Sequence, residues 1–266
     1  MRLYPNLISD SLLINETIRL LQSFGGRASV CEIVGAVMRI RNPETSLAKM
    51  LVSELVGNDP RLKLNDEIVE LVTFNHDSRK LFETDFVVFD LETTGAKCPP
   101  CRVTEIGAYR IKNGKIAAEF QTLVNPEISI PPFITQLTGI SNTMVKNAPR
   151  FAEISNGFLD FIGDAVLVAH NAPFDMRFLN HEISRIHRDY RIANPHLCTV
   201  QLSRKLLPQI ENHRLHTVAE HYSIYIENRH RAADDAFATA KIFVNLLHHL
   251  NDLGVSDLAT ARKFKV

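Results

Sequence analysis

The chain has 266 residues, 45% of them hydrophobic, and its 30 basic and 30 acidic residues give a formal net charge of +0. This composition is ordinary for a soluble globular protein of one large or two small domains, and it excludes binding of nucleic acid through bulk positive charge. Four cysteines exclude a disulfide scaffold. We find neither a signal peptide nor an apolar run long enough to span a membrane, so we expect a cytoplasmic protein and no membrane partner.

Residues 1–73 predict a small winged-helix-like domain made of three helices and a hairpin. Apolar residues at helical spacing predict the first helix. Ser29 followed by Glu32 forms a capping box before the second helix, and Asn42-Pro43 predicts the start of the third. Asn65-Asp66 lies between two short alternating runs and predicts the hairpin turn.

The third helix, at 43–57, would be the recognition helix of a winged helix, but its charges are mixed. Lys49 is set against Glu44 and Glu54, whereas a helix that seeks phosphate is normally basic. The domain therefore has two interpretations, DNA contact or a docking or dimerisation module for a polymerase or repair partner. Residues 74–84 are polar and predict a linker.

Residues 85–250 have the alternating pattern of an α/β domain. Asn113-Gly114 predicts a tight turn between two of its strands. Residues 251–266 predict a C-terminal tail, and its last stretch, ATARKFKV at 259–266, predicts a frayed end. The predicted strands are 86–90, 104–111, 115–124 and the apolar run from 165, and the predicted helices are 149–162, 174–189, 200–207, 215–222 and 232–250.

Two carboxylates end the first strand of this domain. Asp90 and Glu92 are separated by one residue in FVVFDLETTG, so they share a face of the strand. Like charges this close repel each other and raise each other's pKa unless a cation lies between them. Hard oxygen ligands suit Mg²⁺ or Mn²⁺. A D-x-E pair alone is weak evidence, but a buried strand before it and a turn after it favour a metal site.

Two further segments carry acids. Asp175 lies in the first turn of the helix after the strand that ends in VLVAH, where on its own it would be an ordinary helix-start residue. Asp235 lies inside the last long helix, five residues after His230, which on its own would be a surface or capping histidine. Together the four acids predict a site for two divalent cations, with His230 as the group that takes a proton from water.

The ordered motifs FDLETTG, HNAPFD and HRAADD resemble those of the DEDDh 3′–5′ exonucleases, the family that includes the proofreading epsilon subunit of bacterial DNA polymerase III. The resemblance covers about residues 84–250. It implies an RNase H-like mixed sheet flanked by helices and metal-dependent release of nucleotides from a 3′ end. It also implies that His230 is the general base and that two Mg²⁺ or Mn²⁺ ions are held by Asp90, Glu92, Asp175 and Asp235.

The resemblance further implies residues that hold the terminal nucleotide, each of which has packing as its alternative role. The expected substrate is a single-stranded or frayed 3′ end of DNA, in proofreading or repair. RNA trimming is the alternative, and a catalytically dead nucleic-acid-binding adaptor is a third interpretation. The residues assigned to the nucleotide are Leu91, Thr93, Thr94, Leu137, Thr138 and Phe174.

The stretch CPPC, from Cys98 to Cys101, has the spacing of half a zinc site. The remaining cysteines, Cys31 and Cys198, offer no second pair. We therefore expect neither zinc binding nor redox chemistry there.

Overall fold

The computed structural model describes residues 4–57, 59–72 and 79–264. The chain forms two compact units, one of Met1–Asn75 and Ile183–Ala193 and the other of His76–Glu182 and Asn194–Val266. In the described residues the strands are β1 (Leu7–Ser9), β2 (Arg27–Ser29), β3 (Leu62–Asn65), β4 (Ile68–Leu71), β5 (Phe86–Thr93), β6 (Val103–Lys112), β7 (Lys115–Leu123), β8 (Val166–Ala169), β9 (Tyr190–Ile192) and β10 (His196–Cys198).

The α-helices of the same residues are α1 (Leu12–Ser23), α2 (Val30–Val37), α3 (Thr45–Val56), α4 (Pro132–Thr138), α5 (Asn142–Val145), α6 (Phe151–Ile162), α7 (Ala172–Ile186), α8 (Thr199–Leu206), α9 (Leu215–His221), α10 (Ala232–Asp252) and α11 (Leu258–Lys263). None of the helices in the described part of the chain combines the length and the hydropathy needed to cross a bilayer.

The N-terminal unit packs α1, α2 and α3 against an antiparallel sheet of order β2-β4-β3. The predicted capping box is confirmed, because the Ser29 hydroxyl accepts from the Glu32 N–H at 3.2 Å and the Glu32 carboxylate accepts from the Ser29 N–H at 2.7 Å. The predicted hairpin is also confirmed, but its two-residue turn is Asp66-Glu67, because Asn65 is the last residue of β3 and pairs with Ile68. The winged-helix assignment stays a prediction.

Two features of this unit differ from the sequence-based expectation. The third helix begins at Thr45, and Asn42 has a left-handed φ of 47°, so Asn42-Pro43 does not start it. The short strand β9, which lies far along the chain, pairs antiparallel with β1. Three-residue strands such as these carry too little periodicity to be recognised in the sequence.

The second unit is built on a five-stranded sheet of order β10-β8-β5-β6-β7. β5 runs parallel to β8 and antiparallel to β6, and β7 continues the antiparallel part. Helices pack against this sheet, so the predicted mixed sheet flanked by helices is confirmed. Helices α4 and α5 lie between the predicted strand 115–124 and the predicted helix 149–162, where no helix was predicted.

The long helix α10 covers one face of the central strands. Phe86 of β5 packs on Phe243 of α10 with ring centroids 4.8 Å apart. At the start of the helix the backbone approaches β6 so closely that a Cβ atom on Gly107 would overlap the carbonyl group of Ala232. Glycine at 107 thus lets the helix start lie against the strand.

The predicted frayed tail is wrong, because residues 255–263 are packed. Leu258, the first residue of α11, is fully buried in the core beneath α10. The Leu81 N–H donates to the Ser256 carbonyl at 2.8 Å, and Lys80 forms an isolated antiparallel β-bridge with Asp257. The same contacts involve the end of the predicted linker 74–84: Leu81 is buried, while residues 74–78 lie outside the described residues.

We predict that Gly107→Ala destabilises the protein by about 1–3 kcal/mol, because the added methyl group forces β6 and the start of α10 apart. The free energy of unfolding in urea measures this. The matched control is Gly157→Ala in α6, where the new Cβ would only touch the ring of Phe120 at 3.9 Å. This exposed helical position should gain about 0.5–1 kcal/mol. Equal effects of the two substitutions would contradict the close approach at Gly107.

Candidate active site

The last residues of β5 bring Asp90 and Glu92 to the face that α10 covers. Phe86 and Val88, which precede them on that face, belong to the core under α10. The two carboxylates continue the same face at the carboxyl end of the strand, and both are half-buried. A hydrophobic face thus turns into an acidic one along a single strand.

Asp175 joins them from α7. Its side chain is 3% exposed, and its Oδ1 accepts a hydrogen bond of 3.2 Å from the backbone N–H of Leu91, the residue between Asp90 and Glu92. The chain enters α7 through Asn171, which has a left-handed φ of 79° that asparagine tolerates better than most residues. This turn lets the first turn of the helix reach back to β5.

Asp235 and His230 come from the start of α10. The Asp235 carboxylate accepts a hydrogen bond of 2.9 Å from the backbone N–H of His230, which has a left-handed φ of 62°. One ligand atom each from Glu92, His230 and Asp235 lies within 4.8 Å of the others. The neighbouring Asp234 instead accepts from the side chain of Asn228 at 2.9 Å.

Burial raises the pKa values of all four carboxyls, and the charges of the other acids add to the shift at Asp90 and Glu92. Desolvation, followed by the charges of the other acids, holds the pKa of Asp90 well above its usual range and raises that of Glu92 to about 8. Burial raises the pKa of Asp175 to about 8, although the Leu91 N–H opposes the shift. It raises the pKa of Asp235 to about 6 against the His230 N–H. Without cations, Glu92 and Asp175 therefore hold protons at neutral pH.

Such a set of oxygens fits divalent cations. The acids come from three separate segments, and among the described residues none of them forms an ion pair with lysine or arginine. A cation placed among them would favour their ionised forms against burial and repulsion. Glu92, Asp235 and His230 already lie within the span of one ion. The chemistry of the donors therefore agrees with the predicted metal site.

A further carboxylate beside the site, Glu105, was not singled out in the sequence. It lies opposite Glu92 in the register of β5 and β6, and is 5% exposed. Its oxygens accept from the Arg231 guanidinium, the shortest contact being 2.6 Å, and from the Ala232 N–H at 2.9 Å. The ion pair neutralises Glu105 and fixes the start of α10 against β6, which positions His230 and Asp235. In the sequence, Glu105 was marked only as an acidic residue within an apolar strand.

His170, the first residue of the HNAPFD motif, is a second residue that the sequence did not reveal. Its Nε2–H donates to the His213 carbonyl at 3.1 Å, and its Nδ1 accepts from the Thr199 hydroxyl at 2.9 Å. Burial lowers the pKa of His170 to about 4. The ring therefore stays neutral and ties the end of β8 to the loop before α9.

The six residues predicted to hold the terminal nucleotide differ in their surroundings. Leu91 is buried, and Phe174 packs on Phe178 with ring centroids 4.9 Å apart. Leu137 is 51% exposed on α4, one turn after Phe133, which is 65% exposed and was not predicted. Their roles toward a nucleotide stay predictions.

The three threonines of that set have hydroxyls that already form local hydrogen bonds. The Thr93 hydroxyl donates to the Gly95 carbonyl, Thr94 accepts from the Arg102 N–H, and Thr138 donates to the Ile134 carbonyl. These bonds stabilise the turn after β5 and the end of α4.

The cysteines are all free thiols, and Cys98 and Cys101 are half-buried in the loop between β5 and β6. The cluster of potential metal ligands found among the described residues does not include them.

The profile of the RNase_T exonuclease family matches residues 87–243. DNA polymerase III PolC-type of Caldanaerobacter subterraneus is 42% identical over 194 residues, 73% of this chain but 14% of the relative, so the chain spans only a small part of that protein. DNA polymerase III subunit epsilon of Aquifex aeolicus is 38% identical over 64% of this chain and 84% of the relative. The structure of exonuclease X with 5′ overhanging duplex DNA is 25% identical and covers 64% of this chain and 93% of that one, with a TM-score of 0.52.

We predict that the metal-free protein loses stability as the pH rises from about 5 to about 8. Glu92 and Asp175 have folded-state pKa values of about 8, whereas both titrate near 4 when unfolded. The folded state thus binds more protons across this window. Stability therefore falls by about 1.4 kcal/mol for each pH unit over which one carboxyl is protonated in the folded state and ionised in the unfolded state.

Urea denaturation with a chelator at pH 5.5 and pH 8 measures this effect. Wild type is compared with Glu92→Gln. The titration of the histidines changes the unfolding free energy of both proteins equally, so it cancels in the comparison. The difference in unfolding free energy between the two pH values should be smaller in the variant. Identical pH dependence in both proteins would contradict the raised pKa of Glu92.

Proposed function

Since the chain belongs to the RNase_T exonuclease family, we propose that it is a metal-dependent 3′–5′ exonuclease that hydrolyses the terminal phosphodiester bond of a DNA strand. The observation that carries the proposal is the convergence of acids from β5, α7 and α10 on one site with His230 beside them. The presence of all five residues argues against a catalytically dead adaptor.

The acidic residues would hold the ions of this reaction. We propose Asp90, Glu92, Asp175 and Asp235 as ligands of two Mg²⁺ or Mn²⁺ ions. Such ions supply activation of water and stabilisation of the leaving 3′ oxygen. The rigid attachment of each carboxylate to a strand or helix end fixes where the phosphate must lie.

His230 is the proposed general base. Its side chain is exposed, lies within 4.8 Å of the Glu92 and Asp235 ligand atoms, and is therefore placed to take a proton from water that attacks phosphorus. Burial of part of the ring and the charge of Arg229 lower the pKa of His230. The imidazole is accordingly neutral, and able to accept a proton, at neutral pH.

DNA is the proposed substrate because the similar PolC-type and epsilon proteins are named as DNA polymerase III components. A role in proofreading or repair follows from the same similarity. The alternative is trimming of RNA 3′ ends, which needs the same acids and base. Contacts to a 2′-OH group would separate the two.

The N-terminal unit is proposed to bind a polymerase or repair partner. The surface of α3 exposes Leu47 and Met50 by 41% and 58%, beside the opposed charges of Lys49 and Glu54. An exposed apolar pair with no net charge favours a protein partner over phosphate. DNA contact by a winged helix is the alternative.

We expect Asp90→Ala to reduce the cleavage rate by roughly 10³-fold or more, since it removes a ligand whose loss costs several kcal/mol of transition-state stabilisation. The metal-free melting temperature should not fall, because the substitution also removes a repelling charge. Degradation ladders on 3′-labelled and 5′-labelled single strands, with and without Mg²⁺, measure rate, polarity and metal requirement together.

The matched control is Asp234→Asn, which changes an acid next to Asp235 that bonds to Asn228 instead. Its rate should remain close to that of wild type. Cleavage by Asp90→Ala at the wild-type rate would overturn the assignment of the site.

We expect matched DNA and RNA strands of one sequence to differ, with DNA degraded faster. The measurement is the initial rate of each under identical Mg²⁺ and salt. Faster loss of RNA would replace the DNA assignment by the RNA alternative and would leave the site itself unaffected.

A further inference from the structure

A cavity of about 260 Å³ opens beside the proposed general base. It is lined by His230 and Asp235 together with Arg214, His216 and Arg229, and by the apolar residues Leu215 and Ile226. The acidic site thus borders a basic one.

The guanidinium groups of this cavity are not neutralised. Arg231, next along the chain, is paired with the buried Glu105. Among the described residues, Arg214 and Arg229 form no ion pair with a carboxylate. The nearest acid that lines the cavity is Asp235, which is proposed to be occupied by metal. Two exposed arginines therefore have their charge available to an anion.

The loop that carries Arg214 is firmly held. The Asn212 side chain accepts from the Arg214 N–H at 3.0 Å and from the Thr217 hydroxyl at 2.8 Å. The carbonyl of His213 accepts from the half-buried His170 at 3.1 Å. A loop fixed in this way places its arginine with little loss of conformational freedom.

Arg229 is oriented by a histidine. Its guanidinium donates to Nδ1 of His216 at 3.2 Å, and this bond fixes the direction of the arginine side chain. The same arginine lowers the pKa of His230 and opposes the rise in the pKa of Asp235. Its positive charge therefore acts on His230 and Asp235.

We propose that this cavity binds the scissile phosphate and retains it as the phosphate of the nucleoside 5′-monophosphate product, through Arg214 and Arg229. The inference rests on the proposed function. The water oxygen forms a bond to phosphorus while the bond from phosphorus to the 3′ oxygen breaks. One proton of the water passes to His230, and the leaving 3′ oxygen takes a proton from solvent.

This chemistry increases negative charge on the side of His230. The oxygen that came from water becomes a terminal oxygen of the product, which changes from a diester monoanion to a monoester that ionises further. In an in-line displacement the new oxygen lies opposite the departing strand, hence on the side of the base. Guanidinium groups bind such oxygens with charge-assisted hydrogen bonds.

The test uses thymidine 5′-monophosphate p-nitrophenyl ester, which contains one phosphodiester and no upstream strand, together with a single-stranded oligonucleotide. Arg214→Ala and Arg229→Ala should each lower kcat on both substrates by about 10- to 100-fold. Inhibition by thymidine 5′-monophosphate should weaken by a similar factor. Arg→Lys at each position should restore part of the loss.

Arg204→Ala is the control, because it removes one positive charge from a residue near His213 that does not line the cavity. Its kcat on both substrates should equal that of wild type. The shift in melting temperature produced by Mn²⁺ shows whether each variant keeps its metal site. If an alanine variant loses that shift, kcat and product inhibition are measured instead on the Arg→Lys and Arg→Gln variants at the same position.

The outcomes separate the inference from the function on which it rests. Inactivity of the wild type on both substrates would refute the exonuclease function. An active wild type whose arginine variants lose only oligonucleotide cleavage would place the upstream backbone in the cavity and overturn the inference. Unchanged kcat and unchanged product inhibition in the variants would overturn it as well.

Discussion

The repulsion among buried carboxylates at the end of β5 is the constraint on which the rest of this unit depends. Asp90 and Glu92 share one face of a strand, and Asp175 and Asp235 approach them from two helices. Burial raises the pKa values of all four groups, and the charges of the neighbouring acids raise those of Asp90 and Glu92 further. The surrounding fold must hold the acids together against that repulsion. The metal-free protein is therefore locally less stable, but its site is already assembled for cations.

Backbone hydrogen bonds provide much of that restraint. The N–H groups of Leu91 and His230 donate to Asp175 and Asp235, so each acid is fixed by a neighbouring segment of the same site. The ion pair of Arg231 with Glu105 then holds the start of α10 on β6. Buried charge pairs contribute little net stability but are costly to break, which suits a positioning role.

The spacing of acids in the sequence predicted which residues would gather, because strand periodicity and helix starts are local properties. Glu105 was missed because its role depends on the register between β5 and β6, which brings it opposite Glu92. The burial of Leu258 was missed for a similar reason, since a short apolar segment is packed only through pairing with residues near Lys80. Long-range pairing of this kind is not encoded in the periodicity of either segment.

Ile183–Ala193 belongs to the N-terminal unit, and this limits how the chain can be divided. Because β9 pairs with β1, the polypeptide passes between the units more than once, and no single proteolytic cut releases either unit intact. A gene fusion that transferred only residues 1–75 would omit β9, the partner of β1. An experiment that isolates the N-terminal unit therefore has to include Ile183–Ala193.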